Sequence, residues 1–312
     1  MPKLSQPSHI WFDDEVRPWA EATVHVWTET VLRAASVFEG LRGYWNPSEQ
    51  RHYFVHLRDH MDRLKDSARV VQLPRTVDVE ECLFAISTLL KRLNYHEDVY
   101  IRPTIFLREG RYTVGGSKGD CGFFMPIFPS ARAQSITDGL TCQVSSWRRS
   151  DDSSAPPRVK AAANYYNLRL ARLEASTNGY DESILLNTHG QVAETGGASV
   201  FIVRNGRVAT PHLGSSILES LTRRSAIELL SDELGVEVEE RSVDRTELYL
   251  ADEIFLTGTL SEITPVVRID GLTVGRGVGG EITAALQQQY FQSCTAGKDD
   301  NRGWLTPGPV LK

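Results

Sequence analysis

The chain has 312 residues, enough for two compact domains with proper cores. Its formal charge of −6 is mild, and its Lys and Arg residues are scattered rather than banded, which argues against nucleic acid as a partner. No window offers the roughly 20 continuous apolar residues of a membrane span. Met1 to Trp11 lacks an apolar signal core, and Cys82, Cys121, Cys142 and Cys294 lie far apart without a CxxC, so the expectation is a cytoplasmic, enzyme-sized chain with reduced thiols, no metal and no membrane partner.

In chain order, Ile10-Trp11-Phe12-Asp13-Asp14-Glu15-Val16 predicts a short hairpin. His56 to Leu73 carries Leu57, Met61, Leu64 and Ala68 at helical spacing and stops before Pro74; Val79 to Asn94 repeats the pattern through Leu83, Ile86, Leu90 and Leu93. Val99 to Leu107 and Gly122 to Phe128 are predicted strands. Pro129 to Ser135 is polar and without period, so an interdomain linker is placed at 130–138, between domains spanning 1–129 and 139–312. Beyond it, Leu140 to Trp147 is a predicted strand, Ser150 to Pro157 a loop, and Asn164 to Asn178 a helix stopped by Gly179. Short strands follow at Ser183 to Asn187, Val192 to Glu194 and Val200 to Val203. Asn205-Gly206 then signals a two-residue hairpin into Val208-Ala209-Thr210. A helix over Leu221 to Leu234 ends at Gly235, and strands at Glu253 to Leu256 and Thr264 to Ile269 precede an Asp270-Gly271 turn. Strand and helix do not alternate regularly in either half, so the class is α+β rather than a doubly wound parallel sheet.

Three runs carry chemistry. Lys160, in Arg158-Val159-Lys160-Ala161-Ala162-Ala163-Asn164-Tyr165-Tyr166, is a lysine among small residues that can condense with an aldehyde and then shuttle a proton; Arg148, Arg149 and Arg158 are near enough in sequence to help keep it neutral. On its own it also reads as a solvated residue at a helix start. Glu194, in Val192-Ala193-Glu194-Thr195-Gly196-Gly197, sits at a strand end where a carboxylate can pair with a protonated pyridine nitrogen, or lie at a surface turn. Ser215, Ser216, Ser220 and Thr222 surround a helix start suited to a phosphate, or simply to N-capping by Ser220; Thr257-Gly258-Thr259 is a second hydroxyl-rich turn. Together these are the parts of a pyridoxal phosphate site.

Over nearly the whole chain, the sequence resembles the fold-type IV aminotransferases, in particular the branched-chain amino acid aminotransferase group. The resemblance rests on Glu194-x-Gly196-x-x-Ser199-Val200-Phe201, then Val208-Ala209-Thr210, then Leu218-x-Ser220-Leu221-x-Arg223, preceded in order and spacing by Lys160 and Asn164-Tyr165. It implies a D-amino-acid-aminotransferase-like fold of two domains, a smaller N-terminal α/β domain and a larger C-terminal pseudo-barrel. It also implies a homodimer in which a neighbour's loop helps close each site. By that resemblance the cofactor is pyridoxal 5'-phosphate, Lys160 is the Schiff-base lysine, Glu194 partners the pyridine nitrogen and Tyr165 donates to the 3-hydroxyl oxygen. Arg58, Leu218, Leu221, Thr222 and Thr259 serve the cofactor and its phosphate.

Substrate recognition, on the same resemblance, involves Val37-Phe38-Glu39-Gly40-Leu41-Arg42 and Tyr100-Ile101-Arg102-Pro103. Phe38, Gly40 and Arg42 belong to pocket segments, while Tyr100 and Arg102 favour a carboxylate next to the amine. Four positions depart from the branched-chain pattern: Arg33 for a tyrosine, Ser130 for a tryptophan, Leu260 for a small residue beside Thr259, and Ser199 for an asparagine. Arg33 either binds a second acidic group, reshapes the pocket for an amine lacking a carboxylate, or pairs with Glu29 or Glu39. The implied reaction is amino transfer from a branched-chain or other L-amino acid to a 2-oxo acid, working in two half-reactions. Alternatives are an (R)-selective amine transaminase, an aminodeoxychorismate lyase-like enzyme, or a cofactor-binding protein without turnover.

Overall fold

A computed structural model describes residues 5–108 and 120–311 of the chain. Its contacts divide into two units: the first comprises Met1–Arg132, Val159–Ala163 and Ser293–Lys312, the second Ala133–Arg158 and Asn164–Gln292.

The first unit opens with the expected hairpin, β1 (His9–Phe12) paired with β2 (Glu15–Pro18). Then come α1 (Glu29–Arg33), β3 (Ser36–Phe38), β4 (Leu41–Asn46), β5 (Arg51–Val55), α2 (Leu57–Val70) and α3 (Val79–Leu93). On α2 the buried residues Leu57, His60, Met61, Leu64, Ser67 and Ala68 recur every three or four positions, so one face packs inward. Asp78 caps α3 through a hydrogen bond from Glu81 N–H, and Asn94 ends it in the left-handed region at φ 51°. The predicted strand Val99 to Leu107 is two strands, β6 (Val99–Ile101) and β7 (Thr104–Leu107), and Gly122 to Phe128 is likewise β8 (Cys121–Met125) and β9 (Ile127–Pro129). Both breaks fall at a proline, which has no N–H for a ladder. Arg102 N–H instead donates to Pro126 O at 3.1 Å, and the chain changes sheet there. One sheet has the order β2-β1-β8-β7-β3.

The second unit holds α4 (Ser135–Asp138), β10 (Leu140–Arg148), α5 (Asn164–Thr177), β11 (Glu182–Leu186), β12 (Val192–Thr195), β13 (Ser199–Arg204) and β14 (Arg207–Pro211). They are followed by α6 (Leu221–Asp232), β15 (Val238–Arg241), α7 (Glu247–Leu250), β16 (Glu253–Gly258), β17 (Glu262–Ile269), β18 (Leu272–Thr273) and α8 (Glu281–Cys294), whose last two residues count with the first unit. The strand order β12-β11-β10-β17-β16-β13 returns on itself because β12 also pairs with β13, giving a closed barrel. Cys142, Val144, Ile184, Val200, Leu256 and Val266 belong to its core. The Asn205-Gly206 turn has φ of 51° and 73°, and Asp270-Gly271 has 48° and 83°, the two positive values a tight hairpin demands.

The C-terminal strand β19 (Leu305–Val310) pairs antiparallel with β5, giving the first unit its other sheet, β19-β5-β4-β6-β9. The last twenty residues therefore pack with the N-terminal part of the chain, whereas the sequence reading assigned all of 139–312 to one domain. The linker at 130–138 contains the first crossing between units, at Arg132–Ala133. No helix of the described residues is long and apolar enough to cross a membrane.

Candidate active site

Lys160 lies before α5, half-buried, in the short segment Val159–Ala163 that belongs to the first unit. Its main chain runs beside β3: Phe38 N–H donates to Lys160 O at 3.1 Å, Ala162 N–H to Ser36 O at 2.9 Å, and Val37 and Ala161 form an antiparallel bridge. Lys160 N–H donates to Ser67 Oγ on α2 at 3.1 Å. With both its N–H and its C=O held, the direction in which the lysine side chain leaves the backbone is set. Lys160 Nζ is 5.2 Å from the Phe38 ring centroid, and the Arg102 guanidinium carbon is 3.8 Å from the same centroid. One aromatic ring thus carries two cations.

The other residues singled out in this unit are placed as follows. Arg58 is exposed in the first turn of α2, whose N-cap His56 packs against Trp304 with ring centroids 4.9 Å apart and donates its N–H to Trp304 O. Arg42 is buried; its Nη2 donates to Ser130 O at 3.0 Å and lies 3.6 Å from Asp98. Ser130 is buried too and donates its N–H to Asp98 O, which closes the loop around Arg42. A Cβ at Gly40 would stand 2.7 Å from the hydroxyl of buried Tyr100, so only glycine allows that approach. Arg33 forks onto Glu29 with contacts of 2.6 and 2.5 Å, one turn apart on α1. Glu39, the other acid considered for it, is committed to α2.

In the second unit the centre is Glu194 on β12. It is buried, its Oε1 accepts from Arg149 Nε at 2.7 Å, and its Oε2 accepts from Leu218 N–H at 3.1 Å. The turn after it is tied by Thr195, whose Oγ1 accepts from Ala198 N–H at 3.0 Å and Gly197 N–H at 3.3 Å. A Cβ at Gly258 would meet Gly197 O at 2.8 Å, so this turn lies against the end of β16. Beyond that end Thr259 and Leu260, both half-buried, form the turn into β17. Leu221 and buried Thr222 open α6; Ser220 caps it by accepting from Arg223 N–H. Tyr165 is the second residue of α5 and packs on Leu168, Ala171 and Leu185.

Sequence reasoning missed the residues that hold these groups. Arg149 and Arg158 were expected to act on Lys160; Arg149 pairs with Glu194, and Arg158 with Glu219 at 3.0 Å. Glu39, His60, Arg63 and Ser67 form a buried cluster that no spacing announced, because its acid and bases come from different elements. Arg223, although inside the signature, works structurally: its Nη2 donates to Pro211 O and to Glu240.

The family model described as amino-transferase class IV matches residues 36–269. The chain belongs to the class IV aminotransferases. It is 40% identical over 297 residues to a probable branched-chain-amino-acid aminotransferase of Aquifex aeolicus, covering 95% of this chain and 96% of that protein. To the branched-chain-amino-acid aminotransferase of Salmonella typhimurium it is 36% identical over 303 residues, covering 96% and 97%. The crystal structure of the Thermobaculum terrenum branched-chain amino acid aminotransferase in its PLP form superposes with a TM-score of 0.89 at 41% identity, over 96% of this chain and 98% of that one. The branched-chain aminotransferase of Thermoproteus uzoniensis, crystallised with norvaline, gives a TM-score of 0.89 at 35% identity, over 97% and 99%.

Class IV aminotransferases use pyridoxal phosphate, and the residues of this one fit that group. In the second unit, Arg149 Nη1, Ser199 Oγ, Ser215 Oγ and Thr257 Oγ1 are buried with no partner among the described residues. Buried polar groups are seldom left so, and these have capacity to spend on a polar ligand. Ser199 pairs across the sheet with Glu194 on one side and Thr257 on the other, so all three project from one face. Helix α6 begins Leu-Thr-Arg-Arg with no acid in its first turn, an arrangement suited to a bound anion.

Proposed function

We propose that this aminotransferase moves the amino group of an L-amino acid, branched-chain donors foremost, to a 2-oxo acid in two half-reactions through pyridoxal phosphate. The observation that carries the reading is Glu194: a buried carboxylate held by Arg149 and by the Leu218 N–H of the phosphate turn. Such a group is fixed in direction before any ligand arrives. Bound pyridoxal phosphate supplies an aldehyde carbon and an electron-withdrawing ring. Glu194 then holds the proton at the ring nitrogen, and Tyr165 donates to the ring's hydroxyl oxygen. The N–H groups of Leu221 and Thr222, with Thr259 and the guanidinium of Arg58, take the phosphate.

With pyridoxal phosphate bound, Lys160 would be the residue that holds the aldehyde carbon and, once released by the incoming amine, the group that would move the proton at the substrate's α carbon. Tyr100 and Arg102, with Arg42 behind them, orient the α-carboxylate, and Phe38 walls the side-chain pocket. Support for branched-chain donors comes from the relatives named above. The ion pair of Arg33 with Glu29 supports a rim role for that arginine rather than recognition of a second acidic group. The reading includes a homodimer working in the cytoplasm.

Lys160→Ala is expected to abolish turnover and the visible absorption of the loaded enzyme; an active alanine variant ends this mechanism. A donor panel of L-leucine, L-glutamate, D-alanine and (R)-1-phenylethylamine is expected to favour the L-amino acids. Preference for (R)-1-phenylethylamine would replace the substrate assignment and leave the mechanism standing.

A further inference from the structure

Directly after Phe38 comes a carboxylate with no part in the chemistry above. Glu39 is fully buried. Its Oε1 accepts from Arg63 Nε at 2.7 Å, and its Oε2 accepts from Arg63 Nη2 at 2.8 Å and His60 Nδ1 at 2.7 Å. Its own N–H donates to Pro103 O at 2.9 Å, beside Arg102. His60, Arg63 and Ser67 follow one another on α2 at spacings of three and four, and therefore share a face. That face grips two things: the carboxylate that follows β3, and, through Ser67 Oγ, the main chain of Lys160. Phe38 links them, since its N–H binds Lys160 O and its ring lies under Lys160 Nζ.

Burying an acid so completely is costly unless a base answers it. Burial alone would raise the Glu39 carboxyl, but the charge and hydrogen bonds of Arg63, then of His60, hold it well below the usual carboxylate range. For His60, burial lowers the imidazole, Glu39 pulls it up, and the charges of Arg63 and Lys160 push it down, so the ring is neutral and donates through Nδ1–H. Arg102, from the β6–β7 connection, shares the Phe38 ring with Lys160, and His60 and Arg63 on α2 are both answered by Glu39. Arg42 of β4 is occupied by Ser130 O and Asp98.

We propose that Glu39 is a positioning residue for Lys160: clamped by Arg63 and His60, it keeps Phe38 and the lysine segment in register on α2 and cancels the positive charge of Arg63 on the helix face that holds that segment. The proposal rests on Lys160 being the residue that bears the cofactor, and the experiment separates the two. A wild-type enzyme without a visible band, or a Lys160→Ala variant that keeps it, sinks the cofactor reading. The role of Glu39 is judged only by how that band titrates.

The visible absorption of the loaded enzyme is titrated with pH for wild type, Glu39→Gln, Glu39→Asp and the pair Glu39→Gln with Arg63→Met. Removing the acid alone leaves Arg63 uncompensated, so the protonated form of the lysine–cofactor link is disfavoured and the midpoint falls. At an effective dielectric of about 20, a stranded interior charge shifts a nearby titration by on the order of one pH unit. Glu39→Asp keeps the charge and moves it, so the midpoint stays near wild type while kcat drops. The double variant, which strands no charge, should titrate within about 0.3 unit of wild type. A Glu39→Gln midpoint equal to wild type in folded, coloured protein overturns the proposal, as does an equal shift in Glu39→Asp. Where Glu39→Gln does not fold, the double variant decides: a midpoint displaced by about one unit shows that the pair is not the neutral element claimed.

Discussion

Arg149→Met tests how Glu194 is held. The substitution removes the guanidinium 2.7 Å from Glu194 Oε1 and leaves the carboxylate buried, with the Leu218 N–H at 3.1 Å as its remaining described donor. A hydrogen bond to a charged group contributes about 1.5–3 kcal/mol, and stranding a buried charge costs about 3–5 kcal/mol; we take about 3 kcal/mol. In a unit of this size that lowers Tm by roughly 6–12 °C. Expressed in the transition state, about 3 kcal/mol is about a hundredfold in kcat/KM. Calorimetry and steady-state kinetics on Arg149→Met, Glu194→Gln and the double variant form a cycle. With no charge left stranded, the double variant should recover about 2 kcal/mol relative to the sum of the single losses. Turnover should not recover, because a glutamine cannot hold a proton at the ring nitrogen. Stability losses that add to within about 0.5 kcal/mol, or an Arg149→Met enzyme at wild-type kcat/KM, would refute the reasoning.

Two further outcomes follow from the first unit. Gly40→Ala puts a methyl 2.7 Å from the Tyr100 hydroxyl and 3.1 Å from its ring, and Tyr100 is buried. The overpacking costs about 1–3 kcal/mol and should raise KM for the amino donor about tenfold with the cofactor band unchanged; an unchanged KM counts against Tyr100 as a substrate contact. His52 is pushed down to about 4 by burial, against the pull of its hydrogen bond to Glu97 O, and its buried Nδ1 has no partner among the described residues. Its folded value lies below the unfolded one of 6.5, so the unfolded chain takes the proton first. The stability contributed is whole above pH 6.5 and lost as pH falls towards 4, about 3 kcal/mol in total. Urea titrations across that window should show a shallower acid loss in His52→Gln; an identical slope removes His52 as the cause.

Local signals made the helices and tight turns readable. The apolar spacing of α2 and α3, the Asn94 terminus and the two glycine turns each need only neighbouring residues. Strands β3 and β7 are buried at every position, so they show none of the alternation that marks a half-exposed strand. Strand β19 contains Pro307, Gly308 and Pro309, which argue against a strand by composition, yet it is a sheet edge beside β5, the place where prolines are tolerated. Closure of the barrel depends on the Glu194–Ser199 pairing across a turn tied by Thr195. For the site, the motif pointed to Lys160 and Glu194, but Arg149 is 45 positions from its acid and Arg63 is 24 from Glu39. Pairings that distant leave no periodic trace; they become visible only when the sheet and helix are built.

The four departures from the branched-chain pattern differ in what they ask of the scaffold. Ser130 holds its loop through the main chain alone, giving its N–H to Asp98 O and its C=O to Arg42, while its buried hydroxyl has no partner among the described residues. A tryptophan can therefore be exchanged for serine there without unseating Arg42. Ser199 keeps its ladder to Glu194 and Thr257 by backbone pairing, and its hydroxyl is likewise unspent. Arg33 is answered by Glu29 on its own helix. Leu260 is different: it lies half-buried in the turn two residues beyond Gly258, where a Cβ would meet Gly197 O at 2.8 Å. Three of the changes leave the frame intact and vary only what projects from it. The fourth changes a side chain in the turn between β16 and β17, beside Thr259, the residue proposed above for the cofactor's phosphate.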